Sequence, residues 1–594
     1  MLERRGAARL PGPEGINGRR RVARGKQTRH RQGRCFKSES SRLSKGLQPA
    51  AIGNHTVQRL AWALLLALTL YVCYFRNLHA IGFVGPDEPR YAWIARDMAE
   101  SGDWVTPRLY GRPWFEKPPL LYWGAAVFFR LMPGQPEIAA RLPSAICALL
   151  ATSALVWLAW RAYGPECARW LAVLLPTTAG MIGFSHACAT DMPFAGMLTI
   201  SLVLAAVILG AVPANQDTPV LPRTPWISLL LFGVFLGLAV LAKGPAALVL
   251  LGGTAFLWAL FSKRWRDGLR LLHPAAIAAF SLTALPWYVL CARRNPDFLR
   301  VFIVEHNFKR YFTPEFQHLQ PFWFYLPVVA VAVLPWILAA GASLALAGRP
   351  APGSDDRALR ILICSWCAWN LAFFSLSRSK LPGYILPAVP CVLFLLMQAL
   401  FASGRPPVRR RFSLVAGASL TLAAALIVAL NRRIPGGQDV IPAPWHASIY
   451  LPLLFGGLLT IALAWRNRLS GSLASAAATV LLAAMGVQGG LRRLDTVYSA
   501  RQGAQAARAY PGFASSEAAV YEEARGVQFG LNFYLRRELP AWSAEDARIR
   551  WVFTSRSGVE RLENAGFECP KVIVFPAALP CQLRDSLGER RREP

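Results

Sequence analysis

The chain has 594 residues, 54% of them hydrophobic and 16% charged, with a formal net charge of +32. A soluble globular chain averages nearer ~25% charged. Here the apolar residues gather into long runs, which excludes an ordinary soluble multidomain protein. Nor does the charge point to nucleic acid as a partner, because it collects in one terminal tail and in short loops between apolar runs.

Taken in chain order, residues 1–57 are rich in Gly, Ser and Gln and show no apolar period, which predicts a disordered basic tail. Residues 1–59 carry fifteen Lys and Arg against Glu3, Glu14 and Glu39. The tail is too long and too basic for a secretory signal, and no small-residue cleavage site follows the apolar run at 60–75. It reads as a cytoplasmic topology anchor or as a start codon assigned too early. Apolar windows of roughly 17–25 residues, long enough to cross a bilayer as helices, then follow. They lie near 58–75, 137–161, 168–187, 190–212, 226–242, 245–262, 271–291, 322–346, 359–376, 383–402, 412–431, 447–465 and 473–490. Backbone polar groups must be satisfied in lipid, and the short alternating segments of a barrel are absent, so about thirteen helices are expected. The predicted fold class is an all-α polytopic membrane protein: a membrane domain over 58–494, with a polar loop of interfacial helices at 76–136, and a small α/β domain at 495–594. In that last segment AAVYEE, RIRWVFTS and KVIVFP read as strands and SGVERLENAG as a helix.

Alternate loops are basic. SKRWRDGLR (262–270) holds four bases and one acid, and ASGRPPVRRR (402–411) four bases and no acid, while 76–137 balances seven bases with seven acids. The positive-inside rule therefore predicts a cytoplasmic N-terminus, a C-terminus on the outer side, and an outer face that carries most of the unusual polar residues. Ionisable groups at membrane depth are costly and are candidates for function.

These candidates also come in chain order. In DEPRYAWIARDM, Asp87 and Glu88 precede Pro89, and Asp87 reads either as a helix N-cap or as a reactive carboxylate helped by Arg90 one turn on. In WFEKPP, Lys117 either snorkels to the interface or meets a lipid phosphate. Asp191, in SHACATDMPF, has no local Lys or Arg and reads as a cap or as a costly unpaired acid. Lys243 interrupts an apolar run at the Gly244–Pro245 turn, where it snorkels or binds phosphate as a point charge. His306, in FIVEHNFKRYF, invites a metal reading together with Glu116, and Arg310 falls on the same helical face. SRSKLPGYILP sets Arg378 and Lys380 just before a membrane run, where a basic helix end reads as a solvated face, a headgroup anchor or part of an outer-face site. Phosphate-binding glycine loops, HExxH and GxSxG are absent. The CSWC of Cys364 and Cys367 lies inside an apolar run and reads as two small core residues, whereas Cys569 and Cys581 could pair in an oxidising compartment.

The ordered set DEPRYAWIARDM, GDWVTPRLYGRPWFEKPPLLYW, TDMPF, AKGPAAL, EHNFKRYF and SKLPGYILP resembles bacterial membrane glycosyltransferases of the GT-C class. The nearest likeness is to the 4-amino-4-deoxy-L-arabinose lipid A transferase family, kin to protein O-mannosyltransferases, over about residues 58–490. The resemblance implies a transferase that takes a sugar from a polyprenyl phosphate carrier at the periplasmic face of the inner membrane, with inversion. It implies catalytic roles for Asp87 and Asp191 and carrier-phosphate contacts for Lys117 and Lys243. Glu88, Arg90, Tyr91, Arg310, Lys380 and Tyr384 would line the substrate cavity. Glu116 and His306 match a pair that can hold a divalent, zinc-like metal, although no cofactor is firmly required. The implied partners are the lipid-linked donor, lipid A or another surface glycan or protein as acceptor, and membrane lipid. A transporter is the rival from another class, but the polar residues favour one face rather than the midplane.

Overall fold

The computed structural model describes residues 51–213, 225–309, 311, 319–347, 356–401, 406–431, 443–543, 545, 548–568, 579–582 and 584–585. Every apolar run read from the sequence falls on a helix. Among the described residues eight helices are long and apolar enough to cross a membrane, or nine if the pair Tyr325–Ala332 and Ile337–Ser343, bent by 102°, counts as one span. The expected thirteen also included the short helices Leu60–Phe75, Ala246–Ser262 and Ala388–Phe401. It counted Pro136–Leu174 twice as well, and that helix does kink at Gly164 (φ 84°), just before Pro165. Only glycine takes such a backbone at no steric cost.

Large apolar side chains such as Leu230, Phe256, Leu282 and Phe455 stand exposed along these helices, as a lipid-facing surface requires. On the side facing inward, buried tryptophans find hydrogen-bond acceptors. Trp258 Nε1 donates to the Ala358 carbonyl at 3.0 Å and Trp336 Nε1 to Thr177 Oγ1 at 3.1 Å. Helices cross closely where side chains are small: a Cβ on Gly457 would lie 2.8 Å from the Gly417 carbonyl oxygen.

A polar layer covers one end of the bundle. Helix Asp87–Ser101 starts after Pro86, carries Pro89 in its first turn, and stops at Gly102 (φ 75°), whose N–H returns to the Met98 carbonyl. It packs on helix Leu120–Leu131 through Tyr91, Ile94, Ala95, Met98, Leu121, Tyr122 and Ala125, all buried. Between the two helices, Arg108–Leu109 pairs antiparallel with Arg112–Pro113 around Tyr110 (φ 54°) and Gly111 (φ 78°). Positive φ at both central residues is the tight hairpin turn whose twist matches the strands.

In the tail, strand Ala518–Tyr521 runs parallel to Trp551–Thr554, which pairs antiparallel with Leu579–Gln582. Helices Arg501–Ala509 and Arg525–Leu535 share a core with this sheet, including Ala504, Leu531 and Trp551. The stretch KVIVFP and Cys569 lie outside the described residues, as does nearly all of the basic tail.

Candidate active site

The hairpin at 108–113 delivers Trp114, Phe115, Glu116 and Lys117 in sequence. Phe115 anchors them in an apolar cluster with Leu241, Trp287, Phe298 and Phe302. Phe302 reaches further, since a Cβ on Gly244 (φ 90°) would lie 2.8 Å from its ring. One aromatic hub thus joins the Glu116–Lys117 motif, the Lys243–Gly244 turn and the Arg300–Lys309 segment that carries His306.

Asp87 is the first helical residue rather than the cap: the N-cap is Pro86, with no side-chain capping bond. Its carboxylate instead accepts from Arg90 Nη2. Arg90 spends its remaining edge on the Pro86 carbonyl (2.9 Å) and on Glu116 Oε2 (3.0 Å). Its guanidinium carbon lies 5.7 Å and 5.3 Å from the ring centroids of Trp114 and Phe529. Burial disfavours the charge on Arg90, but Glu116, Tyr91 and Asp87 outweigh it and its pKa is raised. Lys117 Nζ stands 3.4 Å from the other Glu116 oxygen. Asp87, Arg90, Glu116 and Lys117 therefore form one chain of alternating charge.

Asp191 is likewise not a cap. Thr190 holds that place, and the Asp191 carboxylate meets Lys243 Nζ at 2.5 Å from 52 residues away. The Lys243 ammonium sits 4.4 Å from the Tyr384 ring centroid. Gly383 packs so closely that a Cβ there would lie 2.6 Å from Asp191 Oδ1. The SKLPGY loop is held by Lys380, which is buried and donates to the Ser377 and Gln320 carbonyls at 2.5 and 3.1 Å. Arg378 is exposed.

Glu116 and His306 line one cavity of about 480 Å³ with Trp114, Arg294 and Arg300. Among the described residues no group of three His, Cys, Asp or Glu comes together, and the Glu116 carboxylate is already shared by two cations.

Like Lys380, two further residues expected to line the substrate cavity, Tyr91 and Glu88, are buried in interior contacts. Tyr91 is 2% exposed and packs against Tyr122, with ring centroids 5.8 Å apart; burial first, then the nearby Glu116 and Asp87 carboxylates, push its phenol up. Glu88 shares no partner with Asp87. It takes a two-pronged pair from Arg141 (2.9 and 2.7 Å) and accepts from the amides of Val84 (2.9 Å) and Cys188 (2.7 Å). Arg310 lies outside the described residues.

Sequence reasoning passed over Arg141, Trp114 and Phe529. Arg141 had a signal, a lone arginine at the start of an apolar run. Phe529 had none, since only the fold brings the tail to Arg90.

The model of the dolichyl-phosphate-mannose-protein mannosyltransferase family matches residues 60–302. Two undecaprenyl phosphate-α-4-amino-4-deoxy-L-arabinose arabinosyl transferases of Pseudomonas aeruginosa are 32% and 33% identical over 438 and 432 residues. These alignments cover 72% and 71% of this chain and 75% and 74% of theirs. Crystal structures of ArnT from Cupriavidus metallidurans, bound to undecaprenyl phosphate and in the apo state, share the fold with TM-scores of 0.69 and 0.70. At 24% identity they cover 88% of this chain and 98% of theirs. The helices and these relatives together make the protein a bacterial inner-membrane glycosyltransferase. The chain belongs to the undecaprenyl phosphate-4-amino-4-deoxy-L-arabinose arabinosyl transferase family.

Proposed function

We propose that the protein moves 4-amino-4-deoxy-L-arabinose from undecaprenyl phosphate to lipid A at the periplasmic face, inverting the anomeric carbon. The observation that carries this is the meeting of Asp87 and Arg90, from the first turn of helix Asp87–Ser101, with Glu116 and Lys117, from the segment after the hairpin, beside a cavity in a chain of that family. Basic loops at 262–270 and 402–411 support a cytoplasmic N-terminus and an outer site.

Transfer breaks the bond between C1 and the phosphate oxygen through an oxocarbenium-like state, and negative charge grows on the lipid phosphate. Lys117 and Lys243 supply the opposing charge, the electrostatic contribution that usually dominates. At rest each is paired with a carboxylate, which fixes its ammonium in place before the phosphate arrives. Asp87, oriented by Arg90, takes the proton of an acceptor hydroxyl; against an ionised lipid A phosphate it positions the acceptor or the sugar's amino group. Glu116 tethers Arg90 and Lys117, and we assign it this role without a metal. Glu88, Tyr91 and Lys380 hold the frame, and Tyr384 shapes the Lys243 subsite.

The test is mass spectrometry of lipid A from cells carrying the wild-type gene, no gene, or Asp87→Asn. Addition of the aminopentose is expected only with the wild type, at equal protein levels. Unchanged lipid A would refute the acceptor, and full activity of Asp87→Asn would refute the role of Asp87.

A further inference from the structure

The tail helix Arg525–Leu535 reaches the catalytic hairpin layer at three places. Its first turn docks on Gly85, two residues before Asp87: a Cβ on Gly526 would lie 3.0 Å from the Gly85 carbonyl carbon and 3.1 Å from its Cα. One turn on, the Phe529 ring lies over Arg90, the residue that grips both Asp87 and Glu116. At the far end, Phe83 meets Phe533 edge-on (4.8 Å) and its amide donates to Tyr534 Oη at 2.9 Å. The same Tyr534 donates to Glu137 (2.8 Å), and Arg501 binds Glu137 and Asp495, whose Oδ1 accepts from the Gly82 amide. The segment 82–90 is therefore clamped along its length by residues some 400 positions later.

We propose that this helix belongs to the catalytic apparatus, with Phe529 a positioning residue that fixes the Arg90 guanidinium and, through it, the carboxylates of Asp87 and Glu116. Arg90 uses its edge donors on Pro86, Asp87 and Glu116, so its planar faces are what remain to be held. Aromatic rings hold a guanidinium face by attraction between cation and ring quadrupole and keep water from it. With Phe529 removed, Arg90 gains water and rotamer freedom, and Asp87 loses its fixed orientation. Phe529 reaches the reacting atoms only through Arg90, so its loss falls on turnover rather than on donor binding.

This inference rests on the role proposed for Asp87, and its test separates the two. Full-length wild type, Phe529→Ala, Phe529→Tyr and Gly526→Val are compared in detergent, with undecaprenyl phosphate-linked aminoarabinose as donor. Loss of one partly desolvated cation–ring contact corresponds to roughly a 2- to 30-fold rate change. Phe529→Ala is expected to lower kcat about tenfold, with donor KM within about twofold and thermal unfolding unchanged. Phe529→Tyr, which keeps the ring, restores turnover. Gly526→Val is expected to lower kcat as well by lifting the helix from Gly85. Hydrogen exchange of the peptide over 83–91 supplies a readout independent of activity, and it should speed up in both impaired variants. Wild-type exchange in Phe529→Ala overturns the proposal whatever the activity, and so does a rate loss that Phe529→Tyr does not restore. If the wild type does not use the donor at all, the functional assignment fails and exchange alone decides this one.

Discussion

Replacing Glu88 tests which acid of the Asp87–Glu88 pair faces substrate. Glu88 is 8% exposed and its partner Arg141 2%. Besides Glu88, Arg141 donates to the carbonyls of Leu78 (2.7 Å), Ile81 (2.7 Å) and Gly82 (2.9 Å). Glu88→Gln keeps the shape but turns one acceptor into an NH2 group that must face two donors, an Arg141 N–H and the amide of either Val84 or Cys188. One charge-assisted bond is lost, about 1.5–3 kcal/mol. Glu88→Ala leaves the guanidinium buried without its counter-charge, a loss of about 3–5 kcal/mol. Glu88→Leu with Arg141→Met removes both charges and should be less damaging than Glu88→Ala alone. A thiol-reactive dye can follow unfolding in detergent, because Cys73, Cys167, Cys188, Cys291 and Cys391 are buried and free. Glu88→Gln should unfold several degrees below wild type, with donor KM unchanged in the surviving folded fraction. Wild-type unfolding combined with a raised donor KM would refute the argument and return Glu88 to the substrate.

Three further outcomes are expected. Gly383→Ala drives a methyl group against Asp191 Oδ1 (2.6 Å) and the Phe184 ring (2.9 Å), displacing the carboxylate from Lys243; transfer should fall at least about tenfold, and full transfer would show that the pair is not needed. Burial raises the Glu523 carboxyl from 4.5 to about 7, partly offset by the Ala524 amide. The folded tail thus keeps a proton that the unfolded chain releases, so stability falls as pH rises from about 4.5 to about 7. The full shift is worth about 3.4 kcal/mol, reduced to about 1–2 kcal/mol by the partial exposure of Glu523. Glu523→Gln should be more stable than wild type by that amount at pH 8 and equal near pH 4, and identical pH profiles would count against it. Finally, chelation and dialysis should leave kcat unchanged if Glu116 serves Arg90 and Lys117, and a loss restored by added zinc would reinstate the metal.

The sequence made the bundle legible because lipid imposes one rule on every spanning segment, and each apolar run became a helix. It made Asp87, Lys117, Asp191 and Lys243 stand out because charge beside such runs is expensive. What it concealed was pairing. Asp191 has no local cation, and its partner Lys243 arrives only when the second helix of a pair folds back beside the first. Glu88 and Asp87 are neighbours with the same formal chemistry, and only the direction of each side chain separates an anchor from a candidate base. The expected N-cap roles failed for a local reason: proline at 86 and threonine at 190 already occupy the capping positions, which leaves both aspartates one residue inside their helices. The Arg90–Phe529 contact spans more than 400 positions, a distance no local pattern can encode.

Helix Ala388–Phe401 is short for a membrane span. At 14 residues it is about 21 Å long, some 9 Å short of a typical hydrocarbon core. Its C-terminal end leads to the arginines of 409–411, which fix that end at a headgroup plane. The shortfall therefore falls at the other end, where Gly383 and Tyr384 meet Asp191 and Lys243. Ten of its 14 residues are buried against protein rather than open to lipid. The short helix is thus sheathed in protein, and the turn at Gly383 that precedes it sits against Asp191 rather than against hydrocarbon.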